Sequence, residues 1–125
     1  MREKISALFT SAFLICLLSA CAAKRPALYY WGQYERLVHD MYLEPGKADT
    51  QTQIQTLSED IQKAEARGQR VAPGVFAHLG MMYAVQGDAS SAGNAFLEEK
   101  LRFPESAILI DGIMGRMLKA EGAHK

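Results

Sequence analysis

One stretch limits the fold more than any other: residues 76–104, FAHLGMMYAVQGDASSAGNAFLEEKLRFP. Phe76, Leu79, Gly80 and Tyr83 fall on one face of a helix, because positions three and four apart share a face. Gly87 supplies a turn, Asp88 caps a second helix carrying Ala92 and Phe96, and Pro104 closes it. Small and large side chains alternate at the spacing that lets two antiparallel helices interlock. A chain with this segment is therefore expected to be all-α.

The unit fits inside a period of about 34 residues, and it resembles a tetratricopeptide repeat. Eight positions agree, Phe76, Leu79, Gly80, Tyr83, Gly87, Ala92, Phe96 and Pro104, with Phe76 where the family usually has Trp. Ala89 stands in place of a large aromatic residue, and Glu99 in place of a small one. In such proteins the concave binding surface is lined from the first helix. Helix three, about Val75 to Gln86, is apolar nearly all round, which leaves Ala77, Met81, Ala84 and Val85 as a second stripe. Either another helix of this chain covers that stripe or it is a groove for a partner.

The first residues concern location. Arg2 and Lys4 precede an apolar run from Ile5 to Leu18, broken by Ser6, Thr10 and Ser11 and ending in Leu18-Ser19-Ala20-Cys21. A charged start, a short apolar core and small residues before a cut describe an export signal over residues 1–20. Its last four residues resemble the lipobox of bacterial lipoproteins, which implies lipidation of Cys21. An ordinary signal peptide is the alternative. Ala22, which is not Asp, implies outer-membrane sorting by the same resemblance. Each buried acyl CH₂ contributes about 0.8 kcal/mol, so several chains on one cysteine would hold the protein permanently. Cys16 leaves with the signal, and the mature chain then has no pair for a disulfide. It carries 12 basic against 13 acidic side chains, a balance that gives no electrostatic case for nucleic acid.

Residues 21–27 read as a lipidated tether reaching about 20 Å at most, 28–120 as a helical domain and 121–125 as a frayed tail. Lys24 and Arg25 meet either headgroups or solvent. Tyr29, Tyr30 and Trp31 have three readings: core packing, a membrane-interface belt, or a stacking platform for a glycan such as peptidoglycan. Helix one follows, with Tyr34, Leu37, Val38, Met41 and Tyr42 as its apolar stripe. Glu44-Pro45-Gly46-Lys47 turns the chain. Helix two opens at Asp49 or Thr50, where Thr50-x-x-Gln53 has capping-box form. It buries Ile54, Leu57, Ile61 and Ala64, carries a Glu59–Lys63 pair, and stops at Gly68. Gly68 to Gly74 reads as a polar connection. Helix five, from about Glu105, carries Ile110, Ile113, Met114, Met117 and Leu118, with Gly112 and Gly115 on another face. Two helical glycines cost about 1 kcal/mol each relative to alanine, which predicts a close approach there, by helix four or by a partner helix.

None of His39, His78 and His124 has a second ligand at metal spacing, and the nucleophile-elbow, phosphate-loop and dinucleotide motifs are missing. In the acidic pairs Glu59-Asp60 and Glu98-Glu99, neighbours diverge by about 100° on a helix and cannot converge on one substrate atom. They read as solvated faces. The chain is expected not to be an enzyme and to need no cofactor beyond the lipid on Cys21. His78, on the most buried helix, reads as a hydrogen-bonded core-edge residue or as a pH-sensitive contact.

The order of motifs, Leu28-Tyr29-Tyr30-Trp31-Gly32-Gln33-Tyr34-Glu35, Glu44-Pro45-Gly46-Lys47, Ala77-His78-Leu79-Gly80 and Glu99 to Ser106, resembles a family of short bacterial lipoproteins catalogued as a domain of unknown function. Its members are typically encoded beside a lipoprotein of the curli-assembly type, which implies a shared envelope complex. The expectation is an outer-membrane lipoprotein facing the periplasm that binds envelope proteins through Ala77, Met81, Ala84, Val85, Gly112 and Gly115. A peptidoglycan-binding lipoprotein using Tyr29, Tyr30 and Trp31 is the alternative.

Overall fold

The computed structural model describes residues 27–44 and 46–123, without the side chains of residues 121 and 123. The signal, Cys21, Lys24, Arg25, Pro45 and His124 lie outside the described residues. The chain forms five α-helices: α1 (Tyr34–Leu43), α2 (Thr50–Ala66), α3 (Val75–Val85), α4 (Ala89–Arg102) and α5 (Ala107–Ala123), with one 3₁₀ turn (Pro104–Ser106) before α5. No strand occurs among the described residues beyond an isolated bridge between Tyr30 and Val71. The all-α expectation holds, and the helix limits fall within a few residues of those read from the sequence.

Local chemistry explains the limits. Asp88 caps α4 by accepting from the Ser91 N–H at 2.9 Å, and Asp49, not Thr50, caps α2 by accepting from Thr52 at 2.7 Å. The expected capping box does not form, because Gln53 points inward instead, where its Nε2 donates to the Ala48 carbonyl at 2.9 Å. The α2 chain stops where Gly68 takes φ +61° and the Gln69 N–H returns to the Ala64 carbonyl. Lys63 and Glu59 pair at 3.2 Å as expected. Helix α5 continues through Ala123, beyond the point where fraying was expected.

Successive helices run antiparallel. One end of the domain gathers the start of α1, the α2–α3 connection and the end of α4, as the bonds from Gln33 to Asp60 and from Gly74 to Glu99 show. At the opposite end Gln86, after α3, reaches Gln51 at the start of α2.

The main core packs Leu37 of α1 against Ile54, Leu57, Ile61 and Ala64 of α2 and Val75, Phe76, Leu79 and Met82 of α3. Val71 and Ala72 are also buried there, so the supposedly polar connection donates two residues to the core. A second cluster joins Ala92 and Phe96 of α4 to Ile110 of α5. Between α3 and α4 the interlock is tight: a Cβ on Gly80 would lie 2.7 Å from Phe96 Cε1 and 3.1 Å from the Ala92 carbonyl. Only glycine lets the ring in this close.

Candidate functional site

Two of the four stripe residues on α3 help to form a groove. Ala77 and Met81, with Gly74, His78 and Met82, make its floor; Tyr34, Val38, Met41 and Tyr42 of α1 form one wall, and Leu109 of α5 touches the other side. Its volume is about 310 Å³. The groove exists because α1 leans its Leu37 face on α2 and spreads from α3, while α5 seats Ile110 on α4. Neither helix covers α3 between them. Methionine side chains are flexible and polarisable, so a lining with three of them can adapt to varied apolar partners.

The rest of the stripe divides. Ala84, like Ala77, is half-buried and packs against the Ala92–Phe96–Ile110 cluster that α4 and α5 form. Met81 is 46 % exposed within the groove, and Val85 is 69 % exposed beyond its lining. Gly112 and Gly115 lie outside the groove. A Cβ on Gly115 would meet nothing within 4 Å, and on Gly112 only the Arg116 side chain at 3.6 Å. The expected close approach is therefore not made by helix four, because α5 seats itself through Ile110, Ile113, Met114 and Met117 and turns its glycines away.

Groove geometry is held by polar groups that the sequence reading placed in solvent. Glu99 is only 2 % exposed. Its carboxylate accepts from the Gly74 N–H at 2.8 Å and the Ala77 N–H at 3.2 Å. Helix α3 has Gly74 at its N-cap, in the left-handed region and without a capping side chain. Glu99 of α4 thus satisfies N–H groups that would otherwise be orphaned and sets its charge at the positive end of the helix dipole. Asp60 of α2 does the same for α1, accepting from the Gln33 N–H at 2.6 Å. Its other oxygen has no hydrogen-bond partner among the described residues.

The acidic pairs are therefore not wholly solvated faces: the divergence that keeps neighbours apart sends one member of each pair inward. The available signal was the core spacing of Ala92, Phe96, Glu99 and Phe103, in which a carboxylate takes an apolar position.

His78 is 8 % exposed, meets Gln53 Oε1 through Nε2 at 2.8 Å, and stands edge-on to Tyr34 at 5.9 Å between centroids. Burial holds its pKa below the ordinary 6.5. It is the core-edge residue expected, and one side of it lines the groove. The Tyr34 hydroxyl donates to the Gly74 carbonyl at 3.3 Å, and burial, with the nearby Glu99 carboxylate second, raises its pKa.

The aromatic start does not form a three-ring platform. Tyr29 stands edge-on to Phe103 at 6.0 Å, and the Arg70 guanidinium covers its ring at 5.1 Å; Arg67 covers Tyr30 at the same distance. Trp31 stacks on Tyr34 at 6.3 Å and is 40 % exposed. Between α1 and α2 lies a cleft of about 190 Å³ whose lining mixes Leu37 and Ala48 with Arg36, Asp40, Lys47 and Thr52. Lys47 is engaged there by Glu44 at 2.9 Å and Arg36 by Gln33 at 2.8 Å. Among the described residues no group of three His, Cys, Asp or Glu could hold a metal ion, and no helix is long and apolar enough to cross a membrane.

No curated protein and no solved structure matches the chain. A family model described as a domain of unknown function, DUF4810, matches residues 28–113. The matched span takes in α1 to α4, the start of α5 and every buried core residue from Leu37 to Ile110. The chain belongs to the DUF4810 family, a domain of unknown function.

Proposed function

We propose that this chain is an exported lipoprotein, acylated at Cys21 and held at the periplasmic face of the outer membrane, whose helical domain is a docking scaffold for other envelope proteins. The observation that carries the docking part is the open groove on α3: a pre-formed apolar surface between two helices that do not close over it. Such a shape suits the apolar face of a partner helix. A tetratricopeptide-like reading of the α3–α4 hairpin, where Gly80 is pressed on Phe96, supports this reading, since in that family the first helix faces the bound partner. The partners proposed are neighbouring lipoproteins of a secretion or surface-assembly complex, including the curli-assembly type that the family resemblance implies. Ala77 and Met81 are the contact residues, and Val85 extends the apolar surface.

Photo-crosslinking in intact cells from position 81, with the lipid anchor present, tests this. Recovery of an envelope protein supports the scaffold. Crosslinks confined to the chain itself remove the groove from the proposal. Met81→Glu should abolish capture while leaving helical content unchanged, since Met81 already meets solvent. The peptidoglycan reading rests on Trp31 alone once Arg67 and Arg70 cover the tyrosine rings, and co-sedimentation with purified sacculi would have to depend on Trp31 for it to stand.

A further inference from the structure

The end of the domain where the chain enters carries a surface that the groove does not explain. Here the Tyr30 N–H donates to the Arg70 carbonyl at 2.7 Å, pinning the entering segment beside the α2–α3 connection. Ala27 is exposed, and Leu28 is 69 % exposed, a bare aliphatic side chain at the point of entry. Arg67 and Arg70 lie over the Tyr30 and Tyr29 rings, and among the described residues neither pairs with a carboxylate. Arg102, at the same end, differs: Glu98 at 3.0 Å and Glu65 at 3.6 Å take up its charge. Glu35 in the first turn of α1 and Glu105 after α4 are further exposed carboxylates at this end, while Glu99 is buried on the α3 N-terminus.

We infer that this end is a phospholipid-facing surface in which Arg67 and Arg70 contact anionic headgroups and Leu28 enters the interface between them. The inference rests on the lipid anchor proposed at Cys21. Five residues separate that cysteine from Ala27, a reach of about 20 Å at most. This end is therefore held at the bilayer in every anchored molecule, and a protein partner would have to displace lipid to reach it. Lys24 and Arg25 lie in the same short tether and add two cations. Stacking on the tyrosines fixes both guanidinium groups in place, so less side-chain freedom is lost on contact. Each basic residue near an anionic membrane strengthens attachment about fivefold. The surface also orients the molecule, placing the turn at Gly87 and Ser90 away from the membrane.

The test uses the full lipidated chain in phosphatidylethanolamine vesicles with phosphatidylglycerol added or omitted. A polarity-sensitive dye is placed through Gln69→Cys, an exposed site between the two arginines, or through Ser90→Cys at the opposite end. The expected result is a blue shift at position 69 that needs phosphatidylglycerol, and none at position 90. Arg67→Gln with Arg70→Gln should lower the ratio of docked to undocked domains about 25-fold, and high salt should act in the same direction.

A lipidated protein whose dye at position 69 stays in an aqueous environment overturns the headgroup surface alone. So does a shift that survives the double substitution. A photo-crosslinker at position 69 that captures an acidic protein instead of lipid assigns the arginines to a protein partner and overturns it too. Mass spectrometry of the Cys21 peptide reads the anchor separately: without acyl mass, the anchor reading falls and takes this inference with it.

Discussion

Gly80 in α3 and the pair Gly112 and Gly115 in α5 are all glycines inside helices, where glycine is costly, yet their surroundings are opposite. Phe96 fills the space a Gly80 side chain would need, whereas a Cβ on Gly115 would meet nothing and one on Gly112 only the end of Arg116. The hairpin of α3 and α4 is a finished interface, its glycine already used by a helix of the same chain. Helix α5 is finished on one side only. Its Met114, Met117 and Leu118 leave a crevice of about 90 Å³ beside Ala89 and Gly93, and its glycine face is bare. A helical glycine thus marks close packing only where a second helix arrives, and the sequence spacing does not say which helix that will be.

Phe96→Ala tests the first half of this contrast with the largest effect. The ring is fully buried between α3 and α5, and its loss should cost about 4 kcal/mol, read as a fall in the urea midpoint. Leu118→Ala on α5, at an exposed side chain, should stay within about 0.5 kcal/mol. Comparable losses would mean that α5 is seated as firmly as the hairpin.

Glu99→Gln comes next. The amide keeps the shape of the side chain but loses the charge, and only one oxygen remains to accept from the Gly74 and Ala77 N–H groups. Hydrogen bonds to a charged group contribute about 1.5–3 kcal/mol each, so a loss of about 2 kcal/mol is expected. Because α3 forms the groove floor, fraying of its first turn should also reduce crosslinking from position 81. An unchanged midpoint would show that the α3 cap is dispensable.

Much of this was readable in advance. The helix limits followed from Asp88, Gly68, Pro104 and the apolar periods, because caps and breakers act locally and leave their mark in neighbouring residues. Glu99 and Asp60 escaped because each serves the N-terminus of a different helix, Glu99 at 22 and 25 positions from its partners and Asp60 at 27. No local pattern records that pairing. The groove was half readable. Ala77 and Met81 stood out as surplus apolar surface, but its α1 wall was hidden inside a stripe broader than the core requires. Leu37 goes to the core, while Val38, Met41 and Tyr42 line the groove.

The glycines give effects of opposite sign and smaller size. Gly80→Ala gains about 1 kcal/mol of helix propensity but forces a Cβ onto Phe96 and the Ala92 carbonyl, an overpacking cost of about 1–3 kcal/mol. The net result should be a destabilisation of about 1 kcal/mol. Gly112→Ala and Gly115→Ala should each stabilise by up to about 1 kcal/mol, since the new methyl groups enter open space. If these two stabilising changes also end partner capture in cells, the bare glycine face of α5 is a second docking strip. If capture is unaffected, Gly112 and Gly115 have no part in it and the groove stands alone.

The smallest effect separates the groove floor from the rest by pH. Burial depresses the His78 pKa in the folded protein below its ordinary 6.5, so the folded state binds fewer protons than the unfolded state as pH falls through that region. Stability is therefore fully present above about pH 6.5 and declines as pH falls from there through the depressed folded value. Protonation would place a charge beside Tyr34 and add a proton at Nδ1, since Nε2 already donates to Gln53 Oε1 at 2.8 Å. Hydrogen bonds from Thr52 to Asp49, from Gln55 and then Lys63 to Glu59, and from Ser91 to Asp88 lower the pKa of those carboxylates, so their own contributions are lost only at more acid pH than that of His78. Thermal melts between pH 8 and pH 5 should show a declining Tm in the native chain and a flatter profile in His78→Gln. Since His78 lines the groove as well as the core, occupation by a partner that excludes water from it should hold the proton off more strongly and steepen the slope. A slope unchanged by the bound partner would place that partner elsewhere on the domain.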